Sequence, residues 1–461
     1  MSGRPLRFWD LTLYALAVGF GIRWLPYSAA AGPATLPLWL IAMAGFMWPL
    51  VIATAEMVGR YPGEGGLYDW TRETLGPFTG FLAGWLYWTC NLPFFSTMLY
   101  FTFASFAAAL GSGAAHAIAD PWVFAGLASA TALAVGVLHW LGLGTGKWLT
   151  NFGSIAVAIL MAALLIVGAI VALTSGPATD LGHASLAPPL TAEGAALWSI
   201  MVFAYGGPEA LAFLRQDVDG GVRQILRVLA LVGVVVVVGY VAGTLSILTI
   251  MKPQDASHLA GLPDAYTAGF ARLGLQGFAA APNLLLALAA LGSYSAWFGV
   301  AAKLPFVIGV DRYFPAAFAR RDAKTGAPTT AIAVQVAAVV VLVVLGQAGS
   351  TVKAAFDFLV SFSVVSYTLP FFLLFLAYFA VKGPAAPGVW VAPGGAAGRR
   401  AIAIAGLVVT TTAIACTLVP SPDATDKLGA VIKLLASSAV LIGVGALIYA
   451  LARRRRPALA Q

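Results

Sequence analysis

The chain has 461 residues, of which 60% are hydrophobic and only 10% charged, against roughly 25% charged in soluble proteins. So few charges cannot cover a soluble globule, and the long apolar runs exclude disorder, which leaves a polytopic membrane protein. The formal net charge of +8 would suit a nucleic-acid partner only if the cations formed a basic patch interleaved with aromatic residues, and they do not.

Twelve apolar stretches have the roughly 20 residues that a bilayer crossing needs. They are spans 1 to 12: 9–30, 36–58, 78–110, 122–141, 150–174, 194–213, 228–251, 278–302, 328–346, 354–380, 401–419 and 429–451. With the N-terminus inside, inner segments such as 303–327 hold 20 of the 26 Lys and Arg residues. The outer loops hold four, Lys252, Arg272, Lys353 and Lys427, while Arg23 and Lys433 lie within spans. This asymmetry predicts that both termini are cytoplasmic. The basic excess is therefore topological. The closing Arg453–Arg456 run reads as a stop after the last span or as a contact for anionic membrane lipid.

Span 1 is too long for a cleavable signal and lacks a small-residue cleavage site. It runs Ala17-Val18-Gly19-Phe20-Gly21-Ile22-Arg23-Trp24-Leu25-Pro26. At about 1.5 Å per residue from Trp9, Gly19 and Gly21 lie about 15 and 18 Å deep, near the middle of a hydrocarbon layer about 30 Å thick. After span 2, Pro62 to Gly66 reads as a tight cytoplasmic turn and not as a phosphate loop, because it follows a membrane span and not a strand. Cys90 and Cys416 fall inside spans and read as packed free thiols. His116, His139, His183 and His258 have no ligand spacing, so neither a metal nor a cofactor is expected.

Span 6 runs Phe203-Ala204-Tyr205-Gly206-Gly207-Pro208-Glu209. Its Gly206 and Gly207 lie about 16 and 18 Å from Ala195 on the same rise. Spans 1 and 6 start from opposite faces, so two matched breaks fall at one depth. Small residues at these points could simply let helices pack closely. The matched depth, the adjacent prolines and the ionisable neighbours favour interrupted helices, which lipid tolerates only where the open backbone lines a cavity. The arrangement predicts an all-α single transporter domain over 1–461. Its spans 1–5 (9–174) and 6–10 (194–380) form an inverted repeat, followed by two more helices (401–451). Interrupted helices offer free N–H groups to anions and free carbonyls to cations. The largest loop, 251–278, cannot hold a nucleotide-binding fold, and no GxxxxGK[ST] motif is present. Nothing resembles a ring-forming ion filter, and no nucleophile–base pair marks an enzyme.

Four motifs in order carry a resemblance: the Gly-x-Gly-x-x-x-Leu-Pro stretch at 19–26, PGEGGLYDW at 62–70, FAYGGPEA at 203–210 with its polar Gln216–Asp219 tail, and GVDRYFPAAFARRDAKTGAPTTA at 309–331. Together the sequence resembles the amino acid–polyamine–organocation (APC) superfamily of secondary transporters over nearly its whole length. Arg23 before Leu-Pro and the Trp88-x-x-Asn91 pair look more like its glutamate/γ-aminobutyrate antiporter branch. The resemblance implies a multi-pass permease of the cytoplasmic (inner) membrane, moving amino acids or related amines by alternating access as antiporter or symporter. Polyamine or organocation transport, or an ion channel, is the alternative. It implies that Gly19, Phe20, Gly21 and Ile22 offer backbone to a substrate carboxylate. Phe203, Ala204 and Tyr205, beside Gly206 and Gly207, would offer carbonyls to the ammonium and an aromatic lid. Asn91 would be a polar substrate contact, Trp297 an aromatic gate and Glu209 a gating or proton-carrying acid. A coupling sodium would need paired hydroxyls on span 8, where Ser293 and Ser295 are the candidates. Span 5 has no interior lysine to take that ion's place, since Lys147 precedes it, so coupling to H+ or Na+ stays open.

Arg23 distinguishes this chain. A mid-membrane Arg costs about 2.5–3.5 kcal/mol on insertion scales. Helical rise places Arg23 and Glu209 on opposite sides of the midplane, about 12 Å apart along the membrane normal and out of direct contact. Arg23 could face a hydrated outer vestibule, act as a gate, or grip a substrate carboxylate.

Overall fold

The structure, a computed structural model, describes residues 6–63, 65–188, 190–347, 352–419 and 427–454. Among them the backbone is helical apart from turns and one isolated bridge, Leu6 with Val218. Eleven helices are long and apolar enough to cross a membrane, from Pro33–Arg60 to Lys427–Arg454. The expected span 1 is not one of them because it is interrupted. Phe8–Gly19 is followed by extended backbone at Phe20 and Gly21, one 3-10 turn at Ile22–Trp24, and a short helix Leu25–Ala30. Span 6 is interrupted too. Ala192–Ala204 stops before Gly206-Gly207, and Pro208–Asp217 continues as a 3-10 helix, far longer than such helices usually run. Pro208 at its first position has no N–H to satisfy, which suits a fresh helix start.

The two interrupted segments run in opposite directions. The start of span 1 lies against the end of span 6, where Asp219 N–H and Gln224 Nε2 both donate to Leu6 O at 3.0 and 3.1 Å. Spans 5 and 8 touch backbone to backbone: a Cβ on Gly153 would sit 2.6 Å from Gly292 Cα, so only glycine permits this approach.

Some boundaries move. The span 8 helix runs Ala280–Val310, so Lys303, expected in an inner loop, is helical and donates to Phe213 O at 3.1 Å. The loop 251–278, expected on the outer side, contains a helix, Gly261–Arg272, too short to give a membrane-length signal. Arg272 closes it by donating to Thr249 O at 2.8 Å, Ile250 O at 3.1 Å and Gly176 O at 2.6 Å. Thr249 and Ile250 close the helix Gly221–Ile250, and Gly176 follows the helix that ends at Thr174.

At the predicted inner side, Glu56 is buried and accepts from Arg60 Nε at 2.7 Å, Tyr378 Oη at 2.8 Å, Ala392 N at 3.0 Å and Arg399 Nη1 at 3.3 Å. A buried carboxylate needs such a full set of donors. Tyr68 and Arg72 both bond Asp311, joining the helix Leu67–Leu75 to the end of span 8. Asp69 accepts the Gly65 N–H at 2.8 Å, and burial pushes its carboxyl above the usual value. The residues Arg4, Glu64, Arg455 and Arg456 and the side chains of Lys147, Gln216, Asp217 and Lys353 lie outside the described residues.

Candidate functional site

The two breaks meet. Gly207 has φ +125°, and a Cβ there would lie 2.6 Å from Val18 O and 2.8 Å from Gly19 Cα. Both the backbone conformation and the contact demand glycine. Tyr240, from the helix Gly221–Ile250, bridges the breaks: its hydroxyl accepts the Gly21 N–H at 3.1 Å and donates to Ala204 O at 2.8 Å. Interrupting a helix frees carbonyls at its end, and span 8 takes up two of them. Ser293 Oγ donates to Ala17 O at 2.7 Å, and Trp297 Nε1 donates to Val18 O at 3.1 Å.

A cavity of about 50 Å³ lies beside this junction, lined by Phe20, Gly21, Ile22, Arg23, Asn91, Phe203, Ala204, Gly206, Ser293 and Trp297 among others. Ten of the fifteen residues singled out from sequence thus face one space. Asn91 donates to Tyr87 O at 2.5 Å, within its own helix. Phe203 packs edge-on to Trp24 and Tyr367, at 5.2 and 4.7 Å between ring centroids.

The other five lie elsewhere. Tyr205, expected to contribute to an aromatic lid, does not line this space. Two residues beyond Phe203 on a helix, it points about 200° away, where its hydroxyl donates to Trp39 O at 3.0 Å and its ring packs on Trp39. Gly19 and Tyr205 line a second, smaller cavity with Met47 and Val236. Gly207 is the contact between the breaks. Ser295 is turned away from Ser293 by the same helical phase and shares a 3.0 Å hydrogen bond with His139. The two hydroxyls therefore form no common cation site. The carbonyls expected for an ammonium are also engaged, Phe203 O by Gly206 N–H at 3.1 Å and Ala204 O by Tyr240.

Glu209 is 1% exposed and sits behind the cavity wall. Its carboxylate accepts from Tyr87 Oη at 2.7 Å, Tyr367 Oη at 3.0 Å and Gly207 N at 2.9 Å. Tyr367 itself lines the cavity, so one side chain links the acid to that space. Arg23 is 7% exposed in this structure and faces no hydrated vestibule in it. Its Nη1 donates to Thr97 Oγ1 at 3.1 Å, and its Cζ lies 4.2 Å from the Trp24 ring centre and 4.5 Å from that of Phe94.

Sequence reasoning missed Tyr240, Tyr367, Thr97 and Phe94. Tyr240 had a signal: it is an isolated hydroxyl in the Val-rich middle of span 7. Phe94 and Thr97 stand in an aromatic-rich run, Asn91 to Phe106, where no single side chain stands out.

Comparison with known proteins agrees with this architecture. The profile of the amino acid permease family matches residues 6–444. An uncharacterized transporter of Legionella pneumophila is 24% identical over 423 residues, 91% of this chain and 90% of that protein. A putative arginine/ornithine antiporter of Escherichia coli is 24% identical over 377 residues, 77% of each chain. A probable agmatine/putrescine antiporter of Lactococcus lactis is 24% identical over 245 residues, 52% of this chain and 50% of that one.

Proposed function

Because the chain belongs to the amino acid permease family, and is a multi-pass secondary transporter for amino acids or amines, we propose that its substrate binds in the cavity between the two interrupted helices and crosses by alternating access. The observation that carries this is the junction itself, where Gly207 seats on Val18 and Gly19 and Tyr240 ties Gly21 to Ala204. Unwound backbone at membrane depth is stable only around such a cavity. In this reading Phe20, Gly21, Ile22, Asn91, Phe203 and Gly206 contact substrate, with Trp297 and Tyr367 as its aromatic walls. The substrate leaves chemically unchanged, so the protein is not an enzyme.

Proton coupling through Glu209 is favoured over sodium coupling. Glu209 reaches the cavity through Tyr367, whereas Ser293 and Ser295 each have their own partner. We place the protein in the cytoplasmic membrane with both termini inside, on the distribution of Lys and Arg. The inverted repeat of 9–174 and 194–380 is supported by the opposed directions of the two interrupted segments. The experiment is counterflow in proteoliposomes loaded with unlabelled amino acids or amines. Saturable, trans-stimulated uptake is expected. Conductance without saturation would mean a channel, and a new chemical product would mean an enzyme; either replaces this reading.

A further inference from the structure

Arg23 is a buried cation whose hydrogen bonding is incomplete. Its Nη2 is shut off from solvent and has no partner. Among the described residues no carboxylate pairs with it. Removing an ion from water without a counter-charge is costly, and the compensation visible here is small: one neutral acceptor and two aromatic faces. Thr97 serves as acceptor because its own proton goes to Phe94 O at 2.8 Å, leaving lone pairs for Nη1.

The same arrangement limits how a ligand can approach. The Trp24 and Phe94 rings occupy two of the directions around the guanidinium group, and in its plane Arg binds carboxylates through two parallel hydrogen bonds. The cavity that Arg23 lines supplies the second observation. Among the described residues that line it, Arg23 is the one charged side chain, and no Asp or Glu is present. Glu209 is held behind the wall by its three donors. The space is therefore positive, with nothing to neutralise a second cation.

We propose that the substrate supplies the missing acceptor for Arg23: a carboxylate binds its guanidinium group, so the transported compound is an amine that also carries a carboxylate and has a net charge of zero or below. Diamines and dibasic amino acids are rejected, because they would bring uncompensated positive charge beside Arg23. This separates the chain from the substrates in the names of its relatives from L. lactis and E. coli. The inference rests on the cavity being the transport site.

The test uses the full-length protein, with L-glutamate, L-leucine, L-ornithine and putrescine as probes, in two assays: thermal shift of purified protein and counterflow in proteoliposomes. The expected result is a stabilising shift with glutamate or leucine and none with ornithine or putrescine, with exchange following the same order. Arg23→Gln should weaken the carboxylate ligands about 10- to 100-fold, the range for a hydrogen bond to a charged group. Arg23→Lys, which keeps the charge without the planar fork, should fall between. The proposal is wrong if putrescine or ornithine binds wild-type protein as well as the best carboxylate ligand. It is also wrong if Arg23→Gln binds that ligand unchanged, or if no carboxylate ligand shifts wild-type protein. A stabilising shift with chloride alone, equal to that with the best carboxylate ligand and abolished in Arg23→Gln, would mean that Arg23 holds an inorganic anion, and overturns it too. An Arg23-dependent shift without exchange would uphold the carboxylate contact and defeat the transport reading. The wild-type selectivity decides the matter even if the variants do not fold.

Discussion

Replacing Gly207 with alanine tests the junction of the breaks with the smallest available perturbation. The new Cβ would lie 2.6 Å from Val18 O, where ordinary contacts begin near 3.4 Å. The breaks must then separate by about 0.8 Å, since the atoms ahead of it are backbone and cannot rotate away. That movement is enough to stretch the 3.1 Å bond from Gly21 N to Tyr240 past the range of a useful hydrogen bond. An L-residue at this φ costs about 1–3 kcal/mol, and each buried group left without its partner about 1–3 kcal/mol more. Taking the minimum of both, about 2 kcal/mol is lost, or roughly a 30-fold fall in transport if the strain is felt in the rate-limiting state. The assay is the initial rate of counterflow per inserted, monodisperse protein, with the thermal midpoint measured alongside. Gly19→Ala is the comparison. Its Cβ would have only Val232 Cγ1 nearby, at 4.0 Å, and transport should stay within about fivefold of wild type, the size of a helix-propensity change. Wild-type rate and stability in Gly207→Ala would refute the contact between the breaks.

Three further outcomes follow from named contacts. Tyr240→Phe leaves Gly21 N–H and Ala204 O without their partner; two such losses cost about 2–6 kcal/mol, so the thermal midpoint should drop and exchange fall at least tenfold, and an unaltered midpoint would contradict the bridge. With Cys90 and Cys416 replaced by serine, single cysteines at the exposed positions Ala323 and Gln254 should be labelled from opposite sides of intact cells, whereas same-side labelling would break the span alternation. Burial raises the Asp69 carboxyl, so the folded protein favours its protonated form, and the associated stability is lost as pH rises above the ordinary value of 3.8. Asp69→Asn keeps an acceptor for Gly65 N–H and should flatten that decline in a thermal-shift pH series; an unchanged slope would assign the decline to another group.

The positions of the breaks were legible in the sequence because glycine and proline at matched depth leave few alternatives in lipid. The spans were legible for the same physical reason, since a bilayer imposes length and apolarity. Helix phase was harder to read. Phe203 and Tyr205, like Ser293 and Ser295, are two residues apart, and two residues turn a helix through about 200°; where the helix ends and which face looks inward depends on the break itself. Nor could the sequence announce that Ala17, Val18 and Ala204 carbonyls are taken. Their partners lie on spans 8 and 7, brought there by packing between helices distant in the chain. The helix Gly261–Arg272 escaped because it is short and half polar, a pattern that a loop also satisfies.

Arg272 has a consequence in time. Its guanidinium group reaches Gly176 O, 96 residues earlier in the chain, as well as the end of the helix that immediately precedes its own. At a synthesis rate of about 5–20 residues per second, the Gly176 carbonyl waits about 5–20 s after its own emergence before its partner exists. Until then the rim of the first half of the molecule must be held by water or headgroups. The nascent protein therefore closes this edge late, in a step set by the ribosome's progress and not by the speed of helix packing.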